Sequence, residues 1–223
     1  MASSQAITQD YPNILVLGNS GNGKSLFTTF YALLYQEFCA LHGLKNKVFA
    51  NYHLELETFQ KVKLQDIVKF PSWLRNGLLI LDEIHSEGGD AYHFLEKDSQ
   101  FLTTFITQIR KRNIQLIVAS QRLNFVNIRI RELVNYYFQI KKFIYPETAE
   151  QPERIMTEIE VLNINTFMVV GRMELDLTPI FKYYDTDEII SQLEINEFQE
   201  ITEQLEEPKK TIKPTSKKKV SDK

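Results

Sequence analysis

Short, mainly apolar runs alternate along this chain with longer stretches in which apolar residues recur every three or four positions. The runs lie at residues 13–17, 47–51, 77–83, 114–119 and 136–142. Because their apolar residues are consecutive, these runs predict strands buried on both faces of a parallel sheet. The longer stretches, at residues 24–41 and 94–110, predict amphipathic helices. Strands and helices that alternate in this way indicate an α/β fold, with helices flanking a mostly parallel central sheet.

The rest of the chain predicts two edge strands and a polar C-terminal appendage. Residues 158–162 and 167–175 have a composition typical of strands and could pair antiparallel at one edge of the sheet. Residues 52–72 mix short polar and apolar pieces and give no firm prediction. We divide the chain into a polar segment at 1–10, a folded domain at 11–190, an acidic helix at 191–207 and a disordered Lys-rich tail at 208–223.

Charge separates the folded body from this appendage. The 223 residues contain 26 Lys and Arg against 29 Asp and Glu, a net charge of −3 that does not by itself indicate a nucleic-acid partner. Residues 185–207 carry nine acidic side chains and no basic one, whereas the last fifteen residues carry seven Lys and one Asp. The body is therefore neutral overall and its appendage is polarised.

Two further features bear on where the protein works. Cys39 is the only cysteine, which excludes a disulfide framework or a cysteine-rich metal site and suits a reducing compartment. No uncharged stretch approaches the ~18 apolar residues that a membrane span needs, and the polar start of the chain lacks the apolar core of a signal peptide. We therefore expect a soluble intracellular protein.

The first predicted strand ends in a glycine-rich loop that matches the pattern G-x-x-x-x-G-K-S/T. This phosphate loop comprises Gly18, Asn19, Ser20, Gly21, Asn22, Gly23, Lys24 and Ser25. Its glycines let successive N–H groups point at phosphate oxygens, and the helix that follows adds positive partial charge. We expect Lys24 at the β- and γ-phosphates of a nucleotide and the Ser25 hydroxyl on Mg²⁺. A strand before the loop and a helix after it form the context that this motif requires.

Polar residues lie at the ends of three other strands of the predicted sheet. Asp82 and Glu83 end the run at 77–83, and the carboxyl ends of parallel strands share one edge with the phosphate loop. Asp82 can bind in the coordination shell of Mg²⁺. Glu83 can orient and deprotonate a water molecule, which favours hydrolysis over transfer of a phosphoryl group to another substrate. Gln121 could sense the γ-phosphate or fix the attacking water, or it is an ordinary turn residue. Asn51 could hydrogen-bond Glu83 and hold it inactive, or it is a simple turn residue.

Basic residues are concentrated in one part of the neutral body. Between positions 110 and 142 there are eight of them against one acidic residue. They are Arg110, Lys111, Arg112, Arg122, Arg129, Arg131, Lys141 and Lys142. Such a cluster could be a solvated face, could supply an arginine to a neighbouring subunit's site, or could follow a nucleic-acid backbone.

Three blocks of sequence together resemble a known family. They are GNSGNGKS between a strand and a helix, then LLILDEIH, and then QIRKRNIQLIVASQR, in which a basic helix leads through a short turn into a strand ending in Ser-Gln. This combination resembles the FtsK–HerA superfamily of RecA-like, DNA-pumping ATPases. The pieces FANYHL, PSWLRNGLLILDEIH and YYDTDEII are most similar to the genome-packaging ATPases of icosahedral, membrane-containing viruses of archaea and bacteria. The resemblance covers about residues 12–190.

The resemblance implies a RecA-like P-loop NTPase fold for residues 11–190 and an oligomeric ring, usually a hexamer. Such a ring hydrolyses ATP with Mg²⁺ and moves double-stranded DNA through its pore without sequence specificity. Lys24 and Ser25 would hold the phosphates and Mg²⁺, and Asp82 would lie at the metal. Glu83 would be the catalytic base and Gln121 the sensor of the γ-phosphate. The preference for ATP over GTP rests on the family alone, because the sequence identifies no residue that reads the base.

The family's arginine finger corresponds here to Arg110, with Arg112 as the alternative. We therefore expect a motor that packages double-stranded viral DNA into a preformed capsid, with Arg129, Arg131 and the 86–93 loop as candidate pore contacts. Its protein partners would be capsid or virion membrane proteins, and it would act in the host cytoplasm, at the procapsid or virion vertex. One alternative is a filamentous-phage assembly and extrusion ATPase, although those relatives typically carry a transmembrane segment. Another is a nucleotide-switched scaffold without sustained turnover.

Overall fold

The computed structural model of the protein describes residues 12–63, 69, 71–82, 100–145 and 154–183. The strands within these ranges are β1 (Ile14–Leu17), β2 (Lys47–Ala50), β3 (Phe59–Lys61), β4 (Gly77–Leu81), β5 (Ile114–Ser120), β6 (Tyr136–Tyr145), β7 (Arg154–Leu162) and β8 (Val169–Asp176). The helices are α1 (Lys24–Leu41), α2 (Gln100–Lys111) and α3 (Ile128–Leu133), with 3₁₀ helices at Leu123–Phe125 and Thr178–Tyr183.

All eight strands join one sheet, in the order β3-β2-β4-β5-β1-β6-β7-β8. The pairs from β3 through to β6 are parallel, whereas β7 and β8 are added antiparallel beyond β6. Parallel neighbours cannot be joined by a tight turn, so the connections between them cross the faces of the sheet. The predicted α/β fold, with a mostly parallel sheet and antiparallel strands at one edge, is therefore confirmed.

Helices cover both faces of this sheet. Successive side chains of a strand point to opposite faces. In β1, Ile14 and Val16 accordingly join the apolar cluster formed with α1, whereas Leu15 and Leu17 join the cluster formed with α2 and α3. Every residue of β1, β4 and β5 is buried, as the consecutive apolar runs predicted. The loop after β1 thus emerges at the carboxyl edge of the sheet, where α1 begins.

The elements differ from the sequence prediction mainly at their ends. Helix α1 begins at residue 24 and ends at residue 41, as predicted. Helix α2 is described from Gln100 onward, and the predicted part before it lies outside the described residues. Strand β6 runs to Tyr145, further than predicted, because it gains β7 as an antiparallel partner. Strand β3 was not predicted, since a strand of three residues, none of them buried, carries no periodic signal.

The N-terminal segment, the acidic helix and the Lys-rich tail lie outside the described residues. The predicted division of the chain into four parts therefore stays a prediction.

Candidate nucleotide-binding site

The phosphate loop has a backbone conformation that its glycines make possible. Gly21 and Gly23 have φ angles of 77° and 85°, in the left-handed region that residues with a Cβ rarely adopt. Gly18 is required for a different reason, because a Cβ there would lie 2.9 Å from the carbonyl oxygen of Ile140 on β6. The two positions that the motif reserves for glycine, Gly18 and Gly23, are therefore those where a side chain would collide with its neighbour or strain the loop, and Gly21 has a similar backbone although the motif does not require glycine there.

Helix α1 starts directly at the loop and is anchored to the segment after β2. Its N-cap residue is Gly23, which has no side chain to occupy the N–H groups at the start of the helix. The hydroxyls of Thr28 and Thr29 donate to the carbonyl oxygen of Ser25, at 3.0 and 2.8 Å. The hydroxyl of Tyr52 lies 2.9 Å from that of Thr28. This chain of hydrogen bonds fixes the first turn of α1, and the N–H groups at its start are well placed to bind an anion.

Lys24 is folded back over the loop. Its side chain is only 4% exposed, and Nζ donates to the carbonyl oxygen of Asn19 at 3.3 Å. A charged phosphate oxygen accepts a stronger hydrogen bond from an ammonium group than a neutral carbonyl does. A phosphate in the loop would therefore compete well for Nζ.

Asp82 lies one residue beyond β4 and is 7% exposed. The side chain of Asn51 holds its backbone, because Nδ2 donates to the carbonyl oxygen of Asp82 and the N–H of Asp82 donates to Oδ1, each at 2.8 Å. Asn51 was predicted to be a simple turn residue or to hydrogen-bond Glu83, which lies outside the described residues. The contact that the structure describes thus fixes the neighbouring residue, and it does so through the backbone.

Asp82, Gln121 and the phosphate loop lie at the same edge of the sheet. The residue before Asp82 pairs with β5, and β5 pairs with β1, so two strand spacings of about 10 Å in total separate Asp82 from the end of β1. Ser120, at the end of β5, accepts a hydrogen bond from the N–H of Gly18 at 3.3 Å, which places Gln121 beside the start of the loop. The structure therefore brings these predicted site residues together.

The side chain of Arg112 is held by hydrogen bonds to other residues of the same chain. Its guanidinium donates to the carbonyl oxygens of Pro71 and, at 3.4 Å, of Leu74, and its Nε donates to Oε1 of Gln108 at 3.2 Å. These contacts hold the turn that precedes β4. Arg110, on the last turn of α2, is exposed to solvent.

Both arginines lie far from the phosphate loop of their own chain. Helix α2 leads directly into the start of β5, and the seven residues of β5 span about 20 Å from the amino edge of the sheet to the carboxyl edge. An arginine side chain is much shorter than this distance. Neither Arg110 nor Arg112 can therefore complete the site of its own subunit.

Several side chains around the loop were not singled out by sequence reasoning. Tyr52 anchors α1, and Lys142 and Thr157 lie beside Gly23. Of these residues, only Lys142 had been considered, as a member of the basic cluster between residues 110 and 142. No local pattern could have found these residues, because they come near the loop through the pairing of distant strands.

Two properties of the part of the chain that the structure describes concern membrane spans and metal ligands. No helix there is long and apolar enough to cross a membrane. No group of three or more His, Cys, Asp or Glu side chains gathers in the same ranges. Among the described residues, Asp82 and Ser25 are the candidate metal ligands. This pair fits Mg²⁺, an ion that usually keeps several waters and takes one or two carboxylates plus substrate phosphates.

The sequence profile of the zonular occludens toxin (Zot) family matches residues 3–188, which is most of the chain. The chain belongs to the Zot family. The match to Zot spans the phosphate loop, Asp82 and all eight strands. The narrower resemblance to the FtsK–HerA superfamily is not tested by it and stays a prediction. No curated protein sequence matches the chain.

Solved structures agree with the Zot assignment at the level of the fold. The N-terminal domain of zonular occludens toxin from Neisseria meningitidis is 15% identical and superposes with a TM-score of 0.52, over 78% of this chain and 100% of that one. At this identity the likeness shows a shared fold alone.

Two other structures are more distant. The genome packaging NTPase B204 of Sulfolobus turreted icosahedral virus 2, in complex with AMPPCP, is 15% identical with a TM-score of 0.41, over 74% of this chain and 96% of that one. The flagellar accessory protein FlaH of Methanocaldococcus jannaschii is 11% identical with a TM-score of 0.44, over 73% and 84%. Scores this low carry no argument about the function of this chain.

Proposed function

We propose that this Zot-family protein is a P-loop ATPase whose hydrolysis of ATP drives double-stranded viral DNA into a preformed capsid. The observation that carries the ATPase part is the loop itself. Its left-handed glycines, the uncapped start of α1 and the buried Asp82 all lie at one edge of the sheet. The DNA part rests on the sequence resemblance and on the basic cluster between residues 110 and 142.

Each group at this edge has one task in the proposed reaction. The loop N–H groups and Lys24 bind the β- and γ-phosphates, while the Ser25 hydroxyl and the Asp82 carboxylate are the hard oxygen ligands that Mg²⁺ prefers. When bound there, Mg²⁺ would neutralise charge on the phosphate oxygens. Gln121 orients the attacking water or senses the γ-phosphate. Glu83, which lies outside the described residues, would take the proton of that water.

The position of Arg110 supports a ring. Its exposed guanidinium lies at the opposite edge of the sheet from its own phosphate loop, so it can serve only the nucleotide of a neighbour. Head-to-tail contacts between copies that close on themselves would place each amino edge against the next carboxyl edge. An arginine supplied in this way is worth ~10³–10⁵ in rate in known cases. The resemblance favours six subunits.

Arg129 and Arg131 are the proposed contacts to DNA. Together with Asn124 and Phe125 they line a cavity of about 680 Å³. Both residues are partly exposed, although Nε of Arg131 is buried, and the exposed parts of the two side chains would contact phosphates of the DNA backbone. Contacts of this kind carry no sequence information and suit a motor that must slide over any sequence. A capsid or virion membrane protein would complete the packaging machine.

The proposal is tested by measuring ATPase activity with and without DNA, together with the mass of the assembly in solution. We expect stimulation by double-stranded DNA of any sequence, a loss of that stimulation as salt rises, and a closed ring. The Lys24→Ala variant should not hydrolyse ATP. Stimulation by single-stranded DNA alone would instead favour the assembly ATPase of a filamentous phage. Binding of ATP without turnover would favour a nucleotide-switched scaffold.

A further inference from the structure

Strands β6 and β7 run directly beside the phosphate loop. The carbonyl oxygen of Ile140 on β6 accepts a hydrogen bond from Asn22 Nδ2 at 3.2 Å. Two residues further along β6, Lys142 lies next to Gly23: a Cβ built on Gly23 would be 3.8 Å from Lys142 Cδ and 3.9 Å from Thr157 Oγ1. Lys142 and Thr157 are directly opposite each other in the pairing of β6 with β7. Both side chains therefore flank the loop at the start of α1.

Lys142 differs sharply from the lysine that precedes it. The Lys141 ammonium lies 3.3 Å from Oε2 of Glu160, on the other face of the sheet. The Lys142 side chain is partly buried, and its ammonium pairs with no acceptor among the described residues. A partly buried cation beside an anion-binding loop is placed to bind the same anion.

Thr157 adds a second observation. The residue is 0% exposed, and its hydroxyl finds no hydrogen-bond partner in the part of the chain that the structure describes. A buried hydroxyl normally has a partner, because leaving it without one is costly. An acceptor oxygen held beside Gly23 would satisfy this hydroxyl and the Lys142 ammonium together.

The order of the strands indicates which part of a nucleotide would lie here. Asp82 and Gln121, the proposed partners of Mg²⁺ and the γ-phosphate, follow β4 and β5, on one side of β1. Lys142 and Thr157 belong to β6 and β7, on the other side of β1. A triphosphate that points its γ end toward β5 must extend its α-phosphate and ribose toward β6.

We propose that Lys142 and Thr157 form a second anion subsite, which binds the α-phosphate end of the nucleotide from the side opposite the metal. This inference rests on the proposed function, since it concerns the same nucleotide. Lys142 donates from its ammonium and Thr157 from its hydroxyl to a non-bridging phosphate oxygen. The subsite lies outside the G-x-x-x-x-G-K-S/T motif. Because both ATP and ADP have an α-phosphate, it should increase the affinity for both nucleotides.

Calorimetric titration of the full chain with ADP and with a non-hydrolysable ATP analogue tests the role of Lys142. The Lys142→Met variant should bind both nucleotides about 10-fold more weakly, by a similar factor for each, because a charge-assisted hydrogen bond is lost. The matched control is Lys141→Met, which removes the same charge one residue away on the other face and should bind like the parent. Equal binding by Lys142→Met and the parent would overturn the proposal, and a loss confined to the ATP analogue would overturn the assignment to the α-phosphate.

The Thr157→Val variant tests whether the Thr157 hydroxyl contacts the nucleotide or is only an unpaired hydroxyl in the core. Valine has the same shape, so removing the unsatisfied oxygen should raise the melting temperature by about 2–4 °C. If the hydroxyl binds nucleotide, affinity should fall about fivefold although the protein is more stable. A more stable variant with unchanged affinity would remove Thr157 from the subsite. If the parent protein binds neither nucleotide, the proposed function itself is wrong. That result is obtained from the parent alone and is therefore distinct from the effects of the variants.

Discussion

Replacing Asn51 with alanine should disconnect the candidate metal ligand from the sheet. The Asn51 side chain makes two hydrogen bonds of 2.8 Å to the backbone of Asp82, beyond the point where β2 and β4 stop pairing. Both residues are buried, at 6% and 7% exposure. In the variant, the N–H and the carbonyl of Asp82 would therefore lose these partners in a place that water enters poorly.

The magnitude follows from these two bonds. Each contributes about 0.5–1.5 kcal/mol net, and a buried group left unpaired costs about 1–3 kcal/mol. We expect Asn51→Ala to lower the free energy of unfolding by about 2–4 kcal/mol. Since a displacement of about 1 Å at an active site can cost on the order of 100-fold in rate, kcat for ATP hydrolysis should fall roughly 10- to 100-fold. The Mg²⁺ concentration for half-maximal activity should rise.

Asn13 provides a matched control at the amino edge of the sheet. Its Oδ1 accepts from the N–H of Leu116 at 2.8 Å, and its Nδ2 donates to the carbonyl oxygen of Leu133 at 3.2 Å. Asn13→Ala should therefore destabilise the fold by a similar amount while leaving kcat and the Mg²⁺ dependence of the folded protein unchanged. Denaturant unfolding and Mg²⁺ titrations of ATPase activity measure both quantities. If Asn51→Ala kept the parent's kcat and Mg²⁺ dependence, Asp82 would not be the metal ligand that we infer.

Two further outcomes can be checked independently. Mixing Arg110→Ala subunits with Lys24→Ala subunits should restore part of the ATPase activity that each variant lacks alone. Some interfaces then join an intact phosphate loop to an intact arginine. If no activity is recovered, Arg110 is not the residue that acts between subunits. Burial raises the pKa of the Cys39 thiol, whose residue is 3% exposed. A thiol reagent at pH 8 should accordingly label the native protein about 100-fold more slowly than the unfolded chain, and similar rates would show that α1 opens readily.

The features that depend on residues close together in the sequence were predictable. Helix α1 was predicted with its observed ends because its apolar residues recur at helical spacing and the phosphate loop marks its start. The strands β1, β4 and β5 were predicted because a strand buried on both faces must be apolar throughout. The glycines at 21 and 23 were assigned to the loop from the motif, and their left-handed φ angles give the physical reason.

Contacts between distant residues were predicted poorly. The hydrogen bonds between the Asn51 side chain and the backbone of Asp82 were not predicted, while the hypothesis that Asn51 binds Glu83 concerns a residue outside the described part of the chain. Arg112 and Arg110 could not be told apart on the sequence, since both lie on one basic stretch. The contacts of Arg112 with the turn before β4 distinguish them, and that turn is about forty residues earlier in the chain.

The sequence by itself determined most of the strands and helices and that the chain is an α/β protein, and it predicted where phosphate would bind. These properties follow from side-chain periodicity and from a loop of eight consecutive residues, so they need no knowledge of distant parts. The tertiary structure decided that Arg110 lies at the opposite edge of the sheet from its own phosphate loop and that Lys142 and Thr157 lie beside that loop. Strand order and register bring such residues together, and these depend on how the whole sheet buries both of its faces.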